Sequence, residues 1–250
     1  MEQGNVSTSI ENGIGTITFG HPRGNSLPGA LLRGIAAAVE RCGGDDAVRV
    51  VVLRSEGEKV FCGGASFDEF QAAKNLDQAK HFFSGFAVLI MAIRHCPKFV
   101  IGRVQGKAVG GGVGVVAACD YVLATEAASI RLSELAIGIG PFVIGPAVQR
   151  KVGLAAFSEL AIDAEWRDAA WARAHGLYAR LFPDISALDA GVAEFAAKLA
   201  GCHGEAMRRL KAVLWEGTEQ WGDLLPKRYT DTSELALTDF VQQKIAAVNR

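Results

Sequence analysis

Between Val48 and Leu53 the chain reads Val-Arg-Val-Val-Val-Leu, a β-branched run with no steady alternation of polar and apolar residues. A strand of this composition is buried on both faces. Such strands belong to α/β sheets with helical crossovers, not to half-solvated antiparallel sheets. The preceding residues fit the same class. Residues 7–10 and 15–19 alternate around Glu11-Asn12-Gly13, and an Asn-Gly pair between two alternating runs predicts a hairpin. Leu31, Leu32, Ile35 and Val39 then recur at helical spacing, so the chain opens as β-β-α-β.

The unit returns twice in looser form. Residues 78–93 place Phe82, Phe83, Phe86, Leu89, Ile90 and Ile93 on or near one helical face, and Pro97 ends the segment. A strand over 99–104, a glycine-led helix over 111–118, a strand over 121–124 and a short strand over 129–132 follow. From Leu154 onward the chain is alanine-rich and helical, with breaks expected near Pro183, Gly201 and Pro226. The expected organisation is an α/β core over residues 1–190 and a helical C-terminal region over 191–250, with no sharp linker between them.

With half of its 250 residues apolar, the chain can bury a full core as one domain. A net charge of −1 supplies no basic field for nucleic acid or anionic lipid. The uncharged stretch over 135–149 is too short and too broken by Gly and Pro for a membrane span of roughly 20 apolar residues. Residues 1–10 lack the basic start and apolar run of a signal peptide. A soluble cytoplasmic protein is expected, with neither nucleic acid nor membrane as partner. Cys42, Cys62, Cys96, Cys119 and Cys202 are widely spaced and fit buried free thiols in a reducing compartment.

Glycine is in surplus: 29 residues, where the average usage of roughly 7% gives about 18. Nine of the 29 lie between Gly102 and Gly145. Two loops stand out, Phe61-Cys62-Gly63-Gly64-Ala65-Ser66-Phe67-Asp68-Glu69-Phe70 and Gly106-Lys107-Ala108-Val109-Gly110-Gly111-Gly112-Val113-Gly114. Each follows a predicted strand and opens a helix. Small residues leave backbone N–H groups accessible, and the dipole of the helix behind them favours an anion or a developing oxyanion. Two such loops can supply two donors to one oxygen.

Other chemistries leave weaker marks. Gly112-Val113-Gly114-Val115-Val116-Ala117 matches G-x-G-x-x-[GA], with Glu134 about 20 residues further on, the pattern of a nicotinamide dinucleotide site. A Rossmann unit, however, begins its domain and sets the first glycine at the end of its strand. Here residues 105–109 intervene and about 100 residues of α/β structure come first. Glycines that permit tight helix–strand packing are the other reading. No G-x-S-x-G occurs, and His21, His81, His95, His175 and His203 lie in no catalytic motif. No H-x-x-x-H or C-x-x-C offers paired ligands, so no metal site is expected.

Taken together, the loops carry a family resemblance. Phe61-Cys62-Gly63-Gly64-Ala65-Ser66 is similar to the F-C-A-G-A-D loop of the enoyl-CoA hydratase/isomerase (crotonase) superfamily, and residues 104–112 resemble its V-x-G-x-A-x-G-G-G. Residues 118–124 look like the C-D-x-x-x-A strand that follows, and residues 132–141 like the P-E-x-x-x-G-x-x-P segment. The match runs in order over roughly residues 10–215. It implies a crotonase-like spiral of repeated ββα units, with a helical C-terminal region for oligomerisation and pocket cover. It also implies a homotrimer or hexamer, an acyl-CoA substrate as in fatty acid metabolism, and no cofactor beyond the coenzyme A that the substrate carries.

Residue by residue, the resemblance implies that Ala65 N–H and Gly111 N–H form an oxyanion hole for the thioester carbonyl. Preorganised amides stabilise enolate charge where it develops, and losing one such donor costs on the order of 10² to 10³ in rate. Hydratases of the family add two glutamates: the second aligns with Glu134, the first with Gly114, which has no side chain. A lone carboxylate is what isomerising members use to move a proton between carbons, so Glu134 is the implied acid/base. Isomerisation of β,γ- to α,β-enoyl-CoA is preferred over hydration. The alternatives are a hydratase whose water is held by another group, a catalytically inactive crotonase-fold binding protein, and the nicotinamide-dependent dehydrogenase. Asp68 and Glu69 are candidates to replace the missing acid, or else solvated first-turn acids. Ser66 stands where the family has Asp and can cap the helix beginning there. The CoA half is expected on Gly24, Asn25, Ser26 and Leu27, and on Cys62, Gly63, Gly64, Ser66, Phe67 and Asp68. Arg23 is the expected phosphate contact, Gly110 adjoins the second donor, and Phe82, Phe83 and Phe86 wall the acyl pocket.

Overall fold

The computed structural model describes residues 4–248; residues 1–3 of the N-terminal reading and 249–250 of the C-terminal one lie outside it. Strands β1 (Asn5–Glu11) and β2 (Ile14–Gly20) form the expected hairpin. Asn12 and Gly13 between them take φ of 51° and 79°, the left-handed pair that a two-residue hairpin turn requires. Helix α1 (Gly29–Gly44) buries Leu31, Leu32, Ile35 and Val39 as their spacing predicts. It returns the chain to β3 (Val50–Ser55), parallel to β2. Val51 and Leu53 pack into one core, and Val50 and Val52 into another on the opposite face. The unbroken apolar run is therefore a strand with helices on both sides.

Three strand pairs then alternate between two sheets. They are β3 with β4 (Val60–Cys62), β5 (Val100–Val104) with β6 (Lys107–Val109), and β7 (Tyr121–Thr125) with β8 (Ser129–Arg131). The first pair is followed by α2 (Phe67–Ala72) and α3 (Leu76–His95), the second by α4 (Gly111–Ala118), and the third by α5 (Gly145–Asp163). The chain continues through β9 (Arg167–Asp168), α6 (Ala169–Ala174), β10 (Arg180–Phe182) and α7 (Ile185–Ala200). One sheet runs β1-β2-β3-β5-β7-β10 and the other β4-β6-β8-β9, so each pair gives its first strand to the larger sheet and its second to the smaller. Because β4, β6 and β8 are parallel, the loops after them emerge at one sheet end, where ligands of open parallel sheets bind.

The C-terminal half departs from its reading in three places, each for a packing reason. A helical segment already forms from Gly145, ahead of the helix that starts at Leu154 after the non-helical Gly153 (φ 80°) as expected, and β9 and β10 interrupt the stretch further on. The boundary expected at 190/191 falls inside α7, whose Leu188, Val192 and Ala196 cover the second face of the large sheet. The break expected at Pro226 is absent, since Pro226 lies in the second turn of α9 (Trp221–Ala236). There the proline forfeits one bond, to the carbonyl of Gly222, while buried Trp221 and Leu225 anchor the turn. Helix α8 (Gly204–Leu214) is tied to the core as well. Buried Lys211 pairs with Asp120 at 2.8 Å, and Trp215 Nε1 donates to the same carboxylate at 2.7 Å. The last helix, α10 (Asp239–Val248), sets Val241 and Ile245 against Phe70, Phe82, Phe83 and Ile139 in a third apolar cluster. Among the described residues no helix is long and apolar enough to cross a membrane. The five cysteines are free thiols; four are buried as expected and Cys202 is half-buried.

Candidate active site

Three segments meet where β4, β6 and β8 end. The first holds Ala65. Leu27 N–H donates to Gly64 O at 2.8 Å and Ser66 N–H donates to Leu27 O at 3.3 Å, forming a parallel bridge between Leu27 and Ala65. In such a bridge the flanking residues supply both bonds, so the N–H of Ala65 itself points to the opposite edge. The loop is pinned a second time by Gly63 N–H donating to Gly24 O at 2.9 Å. Ser66 Oγ accepts from Glu69 N–H at 3.5 Å and caps α2, as its residue type predicts.

The second segment holds Gly111. Gly110 takes φ 51° and ψ −121°, a conformation open in practice to glycine, and its N–H donates to Arg131 O at 2.8 Å. Gly111 is the first residue of α4, so its N–H has no partner within the helix. A Cβ at Gly111 would lie 2.1 Å from Cε1 of Phe86. The ring occupies the place a side chain would take. The third segment leaves β8 and brings Glu134 to the start of a short 3-10 turn, Leu135–Ile137. There its Oε1 would lie 3.1 Å from a Cβ at Gly110.

A cavity of about 530 Å³ opens onto these segments. Gly63, Gly64, Ala65, Gly110 and Gly111 line it on the backbone side, and Phe67, Phe70, Phe83 and Phe86 supply aromatic wall. Glu134 is the one carboxylate among the described lining residues. Its Oε2 is shut off from solvent and finds no hydrogen-bond partner among the described residues. Burial pushes the Glu134 pKa up to about 7, opposed by the backbone N–H groups of Glu134 itself and Ser133.

The remaining predicted residues support this arrangement without lining the cavity. Gly24 and Leu27 grip the first loop from behind, and the Asn25 amide donates to Glu56 O and Val60 O, both at 2.8 Å. Ser26 Oγ lies 3.0 Å from His21 Nδ1. Arg23 pairs with Asp68 at 2.7 Å on the surface. Cys62 is buried behind the loop, where its Sγ accepts from Gly64 N–H at 3.4 Å, and burial pushes its thiol up to about 12. It is a packing group, not a nucleophile.

Several expectations change. Phe82 does not line the cavity; it turns into the third apolar cluster, its ring 5.0 Å from that of Phe83, while the expected Phe83 and Phe86 do line it, joined by Phe70. Asp68 is held by Arg23, and Glu69 Oε2 accepts from Gly29 N–H at 2.6 Å; neither lines the cavity. For residues 112–117 the structure favours the packing reading: Gly112 and Gly114 are the second and fourth residues of α4, and both press against neighbouring side chains. A Cβ at Gly112 would lie 2.8 Å from Cys62 Sγ, and one at Gly114 2.4 Å from Ile144 Cγ2. Their spacing serves close packing. Ile139, Phe142, Ile144, Thr232 and Lys244 line the cavity unannounced, since nothing local in the sequence marks residues brought in by distant elements.

Residues 9–239 match the enoyl-CoA hydratase/isomerase family. A relative from Rhizobium meliloti named "Probable enoyl-CoA hydratase" is 32% identical over 213 residues, covering 82% of this chain and 81% of that protein. Another of the same name from Bacillus subtilis is 30% identical over 156 residues, spanning 62% of this chain and 60% of the relative. The crystal structure of an enoyl-CoA hydratase from Mycobacterium avium subsp. paratuberculosis superposes with a TM-score of 0.84 at 25% identity, covering 98% and 95% of the two chains. The chain belongs to the enoyl-CoA hydratase/isomerase family, and its α/β spiral with a helical C-terminal region is the crotonase fold.

Proposed function

We propose that this chain binds an acyl-CoA thioester with its carbonyl oxygen between Ala65 N–H and Gly111 N–H, and that Glu134 is the acid/base. The supporting observation is that two backbone amides with no hydrogen-bond partner among the described residues and Glu134, the one carboxylate among the described lining residues, meet in one apolar cavity. In isomerisation the Glu134 carboxylate removes a proton from the α-carbon of a β,γ-enoyl thioester, the electron pair moves onto the carbonyl oxygen, and the amides stabilise that charge. Glu134 then returns the proton to the γ-carbon as the double bond settles between α and β. A carboxyl titrating near 7 suits both half-steps, because the acid and base forms coexist at neutral pH.

Isomerisation is preferred because no second carboxylate among the described residues lines the cavity to hold water. The hydratase names of the relatives favour hydration as the second reading. Turnover of α,β- and β,γ-enoyl-CoAs by wild type and Glu134→Gln separates the two. Isomerisation lost in Glu134→Gln supports the proposal, efficient hydration by wild type transfers the choice to the second reading, and thioester binding without turnover indicates a binding protein. The CoA moiety is assigned to the Arg23–Leu27 side of the first loop, with no further cofactor. Leu210, Val213 and Leu214 are exposed at i, i+3, i+4 on α8, an apolar stripe suited to self-association; a homotrimer or hexamer is the assembly the family resemblance implies, and sedimentation as a monomer overturns it. A cytoplasmic setting is inferred from the free thiols.

A further inference from the structure

Gly111 and Gly114 stand one turn apart on α4, so side chains at the two positions would share a helix face. At Gly111 that space is filled by Phe86; at Gly114 it is filled by Ile144, whose Cγ2 and Cβ would lie 2.4 and 2.5 Å from a Cβ there. Ile144 is 3% exposed and lines the same cavity as Glu134. Its position is well determined. It precedes α5, its carbonyl accepts from Ala147 N–H and Val148 N–H, each at 3.1 Å, and Gly145 N–H donates to Pro141 O at 2.7 Å. A β-branched side chain has little rotamer freedom, so it does not swing out of the space it fills.

We infer that Ile144 is the specificity-determining residue of this site: it fills the space from which a side chain at position 114 would enter and keeps that wall dry. A bound enoyl thioester then exchanges protons with Glu134 but does not take up water. The inference rests on the acyl-CoA reading and adds a residue and a physical cause. An apolar group there offers water no hydrogen-bond partner, and a buried water needs two or more.

The test compares Ile144→Val with Ile144→Thr, which share a shape and differ in one hydroxyl. Crotonyl-CoA and a β,γ-enoyl-CoA serve as substrates, and α-proton exchange of butyryl-CoA in deuterated water is followed by NMR. Ile144→Thr is expected to raise the ratio of hydration to isomerisation roughly tenfold while exchange persists, and Ile144→Val to leave the ratio unchanged. Gly114→Glu alone is expected to lower Tm, and Gly114→Glu with Ile144→Ala to recover it and raise the ratio further. Normal wild-type turnover with a ratio that is the same in the Thr and Val variants overturns the inference alone. Wild type with neither turnover nor α-proton exchange overturns the proposed catalysis and this inference with it.

Discussion

The loops presenting Ala65 and Gly111 offer the same group, a bare N–H, and reach it by opposite means. Ala65 is exposed by hydrogen bonding: the bridge to Leu27 uses the groups on either side of it and leaves its own free. Gly111 is left without a helical partner as the first residue of α4, and packing fixes its identity: the Phe86 ring fills the space of a side chain, and Gly110 turns the backbone through a glycine conformation. The first loop is half-buried and retains a Cβ at the donor residue; the second tolerates none. The lesson is that residue identity is dictated where packing supplies the geometry and is looser where backbone hydrogen bonds do.

The largest expected contrast lies in single methyl groups. Gly111→Ala collides with Phe86 and is expected to lose about 10² to 10³ in kcat/KM, together with roughly 1 to 3 kcal/mol of stability from overpacking. Ala65→Gly is expected to change kcat/KM by less than about tenfold. Equal losses in the two variants, measured by steady-state kinetics and thermal melts, would erase the distinction.

Next comes Glu134, whose carboxyl lies against Gly110 of the second loop. The folded pKa of Glu134, about 7, is above its ordinary 4.5. The native state therefore holds the proton more tightly, and the burial penalty on the charged form is absent below about pH 4.5 and complete above about 7. Glu134→Gln removes that penalty and is expected to stabilise the protein at pH 8 by up to about 3 kcal/mol relative to wild type, the difference vanishing towards pH 4. Denaturant melts across this range measure it. In wild type, kcat/KM for a reaction that begins with the carboxylate is expected to fall below about pH 7; a flat profile down to pH 5 removes Glu134 as the base.

Two smaller effects probe the first loop. Ser66→Ala removes the cap of α2 and is expected to cost about 1 kcal/mol, seen as a lower Tm with a modest rise in KM. Asp68→Ala breaks an ion pair whose side chains are 65% and 35% exposed, and its stability effect is expected to stay below about 1 kcal/mol and to shrink with salt. A larger loss from Asp68→Ala than from Ser66→Ala shows that surface charge, not backbone pinning, holds the Ala65 loop.

Much of this arrangement was legible in advance. The hairpin turn at Asn12-Gly13, the doubly buried strand at Val50 and the helix starting at Gly111 are each dictated within a few residues, by φ preference, burial pattern and glycine placement. Glu134 and the two glycine-rich loops could be singled out because their motifs lie in contiguous chain. Phe82 and Phe83 could not be separated, since adjacent helical residues differ by about 100° and both are apolar; the direction of α3 against α2 and α10 alone chooses between them. Asp68 and Glu69 were open as acids until Arg23 and the Gly29 amide proved to hold them.

By itself the sequence determined the α/β class, the glycine-led loops, the family and the absence of an acid at position 114, because each depends on residue type and local spacing. Tertiary structure decided that those loops converge, that Glu134 sits buried beside Gly110, and that the room left by Gly114 is filled by Ile144. The physical reason is range: a missing side chain can be read from one position, but what fills the space it leaves depends on residues brought there by chain 30 positions away.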